Sequence, residues 1–236
     1  MLKRYTIEIT CAIIGWLIRF IYCLKYPVPV RDAYEYNEVI NKWINTGQFP
    51  DDTFFPPLGL YIIKEAVLVG HLDVLKCGVL VNILLGILTI VILIKILEVL
   101  NLKIKVIWVI GILIATHPAL VDYSCQLTRE ASFMFFSSLS VYGIICNLKK
   151  WEIYKTALVS IAITLAFLCR YEGMELMLIL LGLIMAKSKK RIIEYIVVSV
   201  SCFVVLVIIE RITGVSILNE KRIIDELYLD MNIFPH

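Results

Sequence analysis

The chain has 236 residues, 60% of them hydrophobic, with 23 Lys and Arg against 20 Asp and Glu and a mean hydropathy of +0.87. That composition excludes an ordinary soluble domain. The formal charge of +3 gives no sign of a nucleic-acid partner, because the basic residues cluster at the ends of apolar blocks.

The blocks have the length of helices that cross ~30 Å of hydrocarbon. No alternating segments of about 10 residues, the mark of a membrane β-barrel, are present. The expected fold is all-α: a polytopic membrane protein with about seven transmembrane helices plus outer-face juxtamembrane helices, forming one transmembrane domain over 1–236.

The first block, 5–26, follows Lys3 and Arg4. Arg19 interrupts it and no small-x-small cleavage site follows, so it reads as a retained signal-anchor helix. A charge a turn or two inside a span is costly, and snorkelling to the surface is its plain explanation.

The stretch RDAYEYNEVINKWINTGQFPDDTFFPPLGLYI, 31–62, is unusually polar for such a chain. Ala33, Tyr36, Ile40, Trp43 and Ile44 recur at helical spacing, with Glu35, Glu38, Asn41 and Lys42 opposite. This predicts an interfacial helix over 33–46, with Asp32 at its N-cap and Gly47 just past its end. Asp51 and Asp52 read as a turn. Residues 57–72 are apolar but short, and broken by Lys64 and Glu65.

Further spans are expected at 77–97, 106–122, 131–148, 156–170, 173–186 and 192–212. The seven cysteines are scattered without a CxxC. They suggest neither a zinc site nor a disulfide framework and read as small packing residues.

Whether 57–72 crosses decides the topology. If it does not, Lys3 and Arg4, Lys95/Lys103/Lys105, Lys149/Lys150/Lys155 and Lys187/Lys189/Lys190/Arg191 all face the cytoplasm, as the positive-inside rule prefers. The N-terminus is then cytoplasmic and 27–76 lies outside. That arrangement gathers Asp32 and Glu35, HPALVDYSCQLTREASFMFF (117–136), RYEG (170–173) and the 50–61 loop on one extracytoplasmic face. Carboxylates suit acid or base work, and a guanidinium suits phosphate.

The ordered set of a signal-anchor helix, RD opening an amphipathic helix, PPLGLY, TREASFMFF and then RYEG resembles the N-terminal module of the GT-C glycosyltransferases. It is similar in layout to protein O-mannosyltransferases and lipid A aminoarabinose transferases, over about residues 5–190. The resemblance implies that Asp32 is the essential acidic residue. Ala33 stands where such enzymes carry a second acid, which leaves that role to Glu35. It also implies that Glu130, beside Arg129, is the acid opening the fourth span, and that Arg170 is the basic residue ending the fifth.

Those correspondences predict Asp32 and Glu130 as catalytic, and Arg170, Glu35 and Arg129 as substrate-binding; Arg19 and Glu172 are added to the substrate-binding set from their positions near the outer face. The implied reaction is inverting sugar transfer from a polyprenyl-phosphate donor to a lipid, glycan or protein acceptor. Plain alternatives are helix capping for Asp32, dipole stabilisation for Glu130 and snorkelling for Arg170. No cofactor is expected: a divalent cation would find carboxylate oxygens here but no tight ligand spacing.

The rival reading is a non-catalytic membrane subunit of a glycan polymerase or export complex, or a small transporter. Mid-span positions carry few charges, which disfavours the transporter. A chain of this length is expected to be either a fragment or a minimal module with a membrane protein partner.

Overall fold

The computed structural model describes residues 2–25, 31–50, 53, 55–187 and 192–215. The expected turn at Asp51 and Asp52, and the basic residues 189–191, lie outside the described residues. The described chain is helical: α1 (Leu2–Lys25), α2 (Arg31–Thr46), α3 (Pro57–Gly70), α4 (Val74–Val99), α5 (Ile104–Thr116), α6 (Pro118–Ser124), α7 (Glu130–Lys149), α8 (Ile153–Cys169), α9 (Met174–Lys187) and α10 (Ile192–Thr213). A 3₁₀ turn, Tyr171–Gly173, joins α8 to α9.

Four of these are long and apolar enough to cross a membrane: Tyr5–Lys25 in α1, α4, α7 and Ile193–Thr213 in α10. The pair α5 and α6, bent by 48°, makes a fifth if read as one span. The expectation of seven spans is therefore corrected. The block at 156–170 becomes a helix of 17 residues and that at 173–186 one of 14, about 26 and 21 Å long. Both fall short of ~30 Å of hydrocarbon. An apolar block reports composition, whereas span length depends on where the backbone breaks, at His117–Pro118 and at Arg170–Gly173.

The break between α5 and α6 follows from Pro118, which has no N–H to donate and stands at the first position of α6. Arg19 fills the gap. Its Nη1 donates to the Ala115 carbonyl at 3.4 Å and to Gly15 at 3.1 Å, and Nη2 donates to Leu120 at 3.0 Å. Arg19 is 1% exposed, so it does not snorkel. It pins α1 to the elbow of the bent pair. Arg19→Met should lower stability by about 1–3 kcal/mol, the cost of stripping charge-assisted bonds from buried carbonyls. A chemical-denaturation midpoint in detergent measures this, and an unchanged midpoint would remove the pin from the account.

The helices place two chemically different ends. At the basic end, Lys95 on α4 bonds Glu8 on α1 at 2.7 Å, Lys149 donates to the Val99 carbonyl, and Asn147 bridges to Thr156 and to the Glu152 amide. Lys103, Lys105, Lys150 and Lys155 sit on the same turns and loops. At the opposite end lie α2, the start of α3, the linker 125–129, the start of α7 and the end of α8.

α2 folds as its pattern predicts. Ala33, Tyr36, Ile40 and Trp43 are all within 3% of full burial, packed with Phe49, Phe55, Leu60 and Ile63. Each such aromatic or aliphatic side chain contributes about 1.5–3 kcal/mol. Gly47 ends the helix at φ +72°, a conformation that glycine adopts without steric cost. Asp32 falls inside the first turn rather than at the N-cap. At 14 residues, about 21 Å, α3 is also shorter than a span. The linker 125–129 is fixed from below by Asn82, whose Nδ2 donates to the carbonyls of Gln126 at 2.6 Å and Thr128 at 2.8 Å.

Candidate active site

The site is assembled from the start of α7 and the end of α8. After Cys169 the chain becomes extended at Arg170 (φ −153°, ψ 138°) and reverses through the 3₁₀ turn. Gly173 makes the reversal feasible. A Cβ there would stand 2.5 Å from the Phe167 nitrogen and 2.8 Å from the Ala166 carbonyl carbon, backbone atoms that cannot give way. The turn holds the Arg170 guanidinium across from Glu130, the first residue of α7.

Arg170 Nη1 donates to Glu130 Oε1 at 2.7 Å, and Nε donates to Glu172 Oε1 at 2.9 Å. Nη2 donates to the same Glu172 oxygen. The guanidinium also lies 5.9 Å from the Phe133 ring. The second carboxylate oxygen of Glu130, Oε2, is buried without a hydrogen-bond partner. Buried acceptors in that condition are rare. Burial raises the Glu172 carboxyl, but the Arg170 hydrogen bonds, its own backbone N–H and the Arg129 charge outweigh it and leave the group below its ordinary range.

Arg129, 7% exposed, lies 5.1 Å from the Phe55 ring and 6.0 Å from the Tyr36 ring. Tyr36 links the two halves of the site. Burial pushes its phenol up to about 12; Arg129 opposes the shift, while Glu130 and Asp32 add to it. The phenol thus sits in the fields of all three groups and stays protonated. Asp32 precedes it by one helical turn on the same face and is exposed.

Of the predicted residues, Glu130, Arg170 and Glu172 bond directly; Arg129 packs against Tyr36, and Asp32 stands one helical turn before Tyr36 on α2. Glu35 is exposed, next to Tyr36 but turned away from that face. Arg19 belongs to the elbow of α5 and α6. Arg170, expected to hold phosphate, gives its donors to two carboxylates. Tyr36, Phe55 and Gly173 were not predicted as site residues, although the spacing of Asp32 and Tyr36 is a readable i, i+4 signal. Among the described residues, no group of three or more His, Cys, Asp or Glu converges as a metal site would require.

These features define a polytopic helical membrane protein with a cluster of ionised side chains at one end of its bundle. Residues 55–211 match the family model of dolichyl-phosphate-mannose-protein mannosyltransferases. The chain belongs to that family of GT-C glycosyltransferases. The matched segment contains Arg129, Glu130, Arg170 and Glu172, and starts beyond Arg19, Asp32 and Glu35. No curated protein and no solved structure matches the chain.

Proposed function

We propose that the protein transfers a sugar from a polyprenyl-phosphate donor to an acceptor hydroxyl on the extracytoplasmic face, with inversion at the anomeric carbon. The supporting observation is the bonded set Glu130, Arg170 and Glu172, with Arg129, Tyr36 and Asp32 beside it, at the end of the bundle opposite Lys95, Lys103, Lys105, Lys149, Lys150 and Lys155. Asp32, exposed in the first turn of α2, takes the hydroxyl proton as the oxygen attacks the anomeric carbon and the polyprenyl phosphate leaves. General-base assistance of this kind contributes about 10²–10⁴-fold. Glu130, with Oε1 fixed by Arg170, offers Oε2 as an acceptor for a sugar or acceptor hydroxyl. Arg170 and Glu172 position Glu130, and Arg129 balances the carboxylate charge around the reacting centre.

The face follows from charge. Lys95, Lys103, Lys105, Lys149, Lys150 and Lys155 share one end, which the positive-inside rule directs to the cytoplasm. A cysteine at exposed Leu72, in a background free of the native cysteines, tests this in whole cells. Labelling by an impermeant maleimide without permeabilisation is the expected result. Labelling only after permeabilisation would place the site on the cytoplasmic face and overturn the topology.

A further inference from the structure

The cations at the site end are mostly committed. Arg19 holds the Ala115 and Leu120 carbonyls, Lys64 pairs with Glu65 at 2.7 Å, and Arg170 grips Glu130 and Glu172. Arg129 lies against Tyr36 and Phe55. Lys76, in the first turn of α4, is exposed and has no ion-pair partner among the described residues. It stands at the mouth of a slot of about 810 Å³ between α1 and α4.

The slot has the character of a lipid-chain site. Its walls are Trp16 and Phe20 on α1, stacked at 5.6 Å, and Val79, Leu80 and Ile83 on α4. Both helices are candidate spans. Trp16, Phe20 and Leu80 are 47%, 51% and 56% exposed, so the slot opens sideways onto hydrocarbon. From Lys76 to Ile83 it runs roughly 10 Å along α4.

The polar groups are confined to the mouth: Lys76, Tyr34, Gln126 and Asp73. The Asp73 carboxylate is turned onto its own helix, accepting from the amides of Leu75 at 3.0 Å and Lys76 at 3.3 Å. The Gln126 amide donates to Asp122 at 3.2 Å. Tyr34 shares the first turn of α2 with Asp32.

We propose that this slot holds the first isoprene units of the polyprenyl-phosphate donor, with the phosphate against Lys76 and Tyr34 and the attached sugar reaching around the start of α2 towards Asp32. The inference rests on the transfer reading for the donor's identity. It differs from it in placing the phosphate at Lys76 rather than at Arg170. An unpaired ammonium at the wet end of an apolar slot complements a phosphate carried on a hydrocarbon chain. Arg170 already lies between two carboxylates, whose charge offsets its own and opposes a phosphate there.

Native mass spectrometry of the full chain in detergent, titrated with a polyprenyl monophosphate, the corresponding polyprenol and a phosphatidic acid, tests the proposal without any transfer step. Leu80→Trp narrows the slot from its lipid-exposed rim and should weaken polyprenyl phosphate binding at least tenfold. Lys76→Gln should weaken it about tenfold while leaving polyprenol binding unchanged. Both slot substitutions fall on exposed positions, so the fold survives them. Unchanged binding in Leu80→Trp and Lys76→Gln, or phosphatidic acid bound as tightly as the polyprenyl phosphate, would overturn the assignment. Because binding is read directly, a failure of the transfer reading at Asp32 leaves this result standing, and the reverse also holds.

Discussion

Asp32→Asn is expected to lower sugar transfer by at least about 10²-fold while the protein inserts and folds normally. The carboxylate is exposed in the first turn of α2, so the substitution changes stability by no more than about 0.5 kcal/mol, as surface changes generally do. Asparagine keeps the size and the hydrogen-bonding oxygen but has no basic oxygen to accept the acceptor's proton. The loss therefore belongs to the chemical step and appears in kcat, with KM for the donor little altered. A rate within tenfold of the native enzyme, with the same thermal midpoint, would rule out Asp32 as the base. Because the family match starts at residue 55, this experiment also shows whether the chemistry extends beyond the matched segment.

Arg170→Leu is the other large effect, and it should damage both fold and rate. The guanidinium serves carboxylates from two chain segments, Glu130 on α7 and Glu172 after α8. Their side chains are 19% and 37% exposed. Removing the cation leaves two partly buried anions facing each other. Complete burial would cost about 3–5 kcal/mol; with water reaching both groups, about 2–3 kcal/mol is expected. The midpoint of unfolding falls, and transfer is lost because Glu130 is no longer held.

Acid should mimic part of this result. Glu172 is held below its ordinary range, so its stabilising contribution is complete above the unfolded value, about 4.3. It is lost as pH falls through the lowered folded value. The native protein should lose stability on acidification below about pH 4.3, and Glu172→Gln should flatten that limb. An identical acid limb in Glu172→Gln would mean that other groups dominate it.

The sequence was legible where a single helix face carries the information. Ala33, Tyr36, Ile40 and Trp43 recur at helical spacing, and all four are buried. The grouping of Glu130, Arg170 and Glu172 at one end was likewise expected from charge placement, although the span count behind that expectation was not met. What the sequence concealed depends on backbone breaks and on contacts between distant segments. The block at 106–122 reads as one continuous span, yet Pro118 divides it and the bend appears only in three dimensions.

Arg19 shows the same limit. Its distant partners are carbonyls of residues 115 and 120, and a carbonyl carries no mark in the sequence. Tyr36 was read as a packing residue, because its position between Asp32 and Arg129 requires the linker before α7 to fold back over α2. Gly173 carries no mark of its role in the sequence, although a side chain there would strike the backbone of α8.

The attachment of Arg19 also bears on how the chain is made. Its carbonyl partners lie 96 and 101 positions later in the sequence. At a synthesis rate of about 5–20 residues per second, roughly 5–20 seconds separate the emergence of the arginine from that of its partners. A lone guanidinium is costly in hydrocarbon throughout that interval. The first helix is therefore expected to wait with its charged turn near the headgroups until the elbow at His117–Pro118 arrives to receive it. One side chain would thus tie the settling of α1 to a segment made about a hundred residues later.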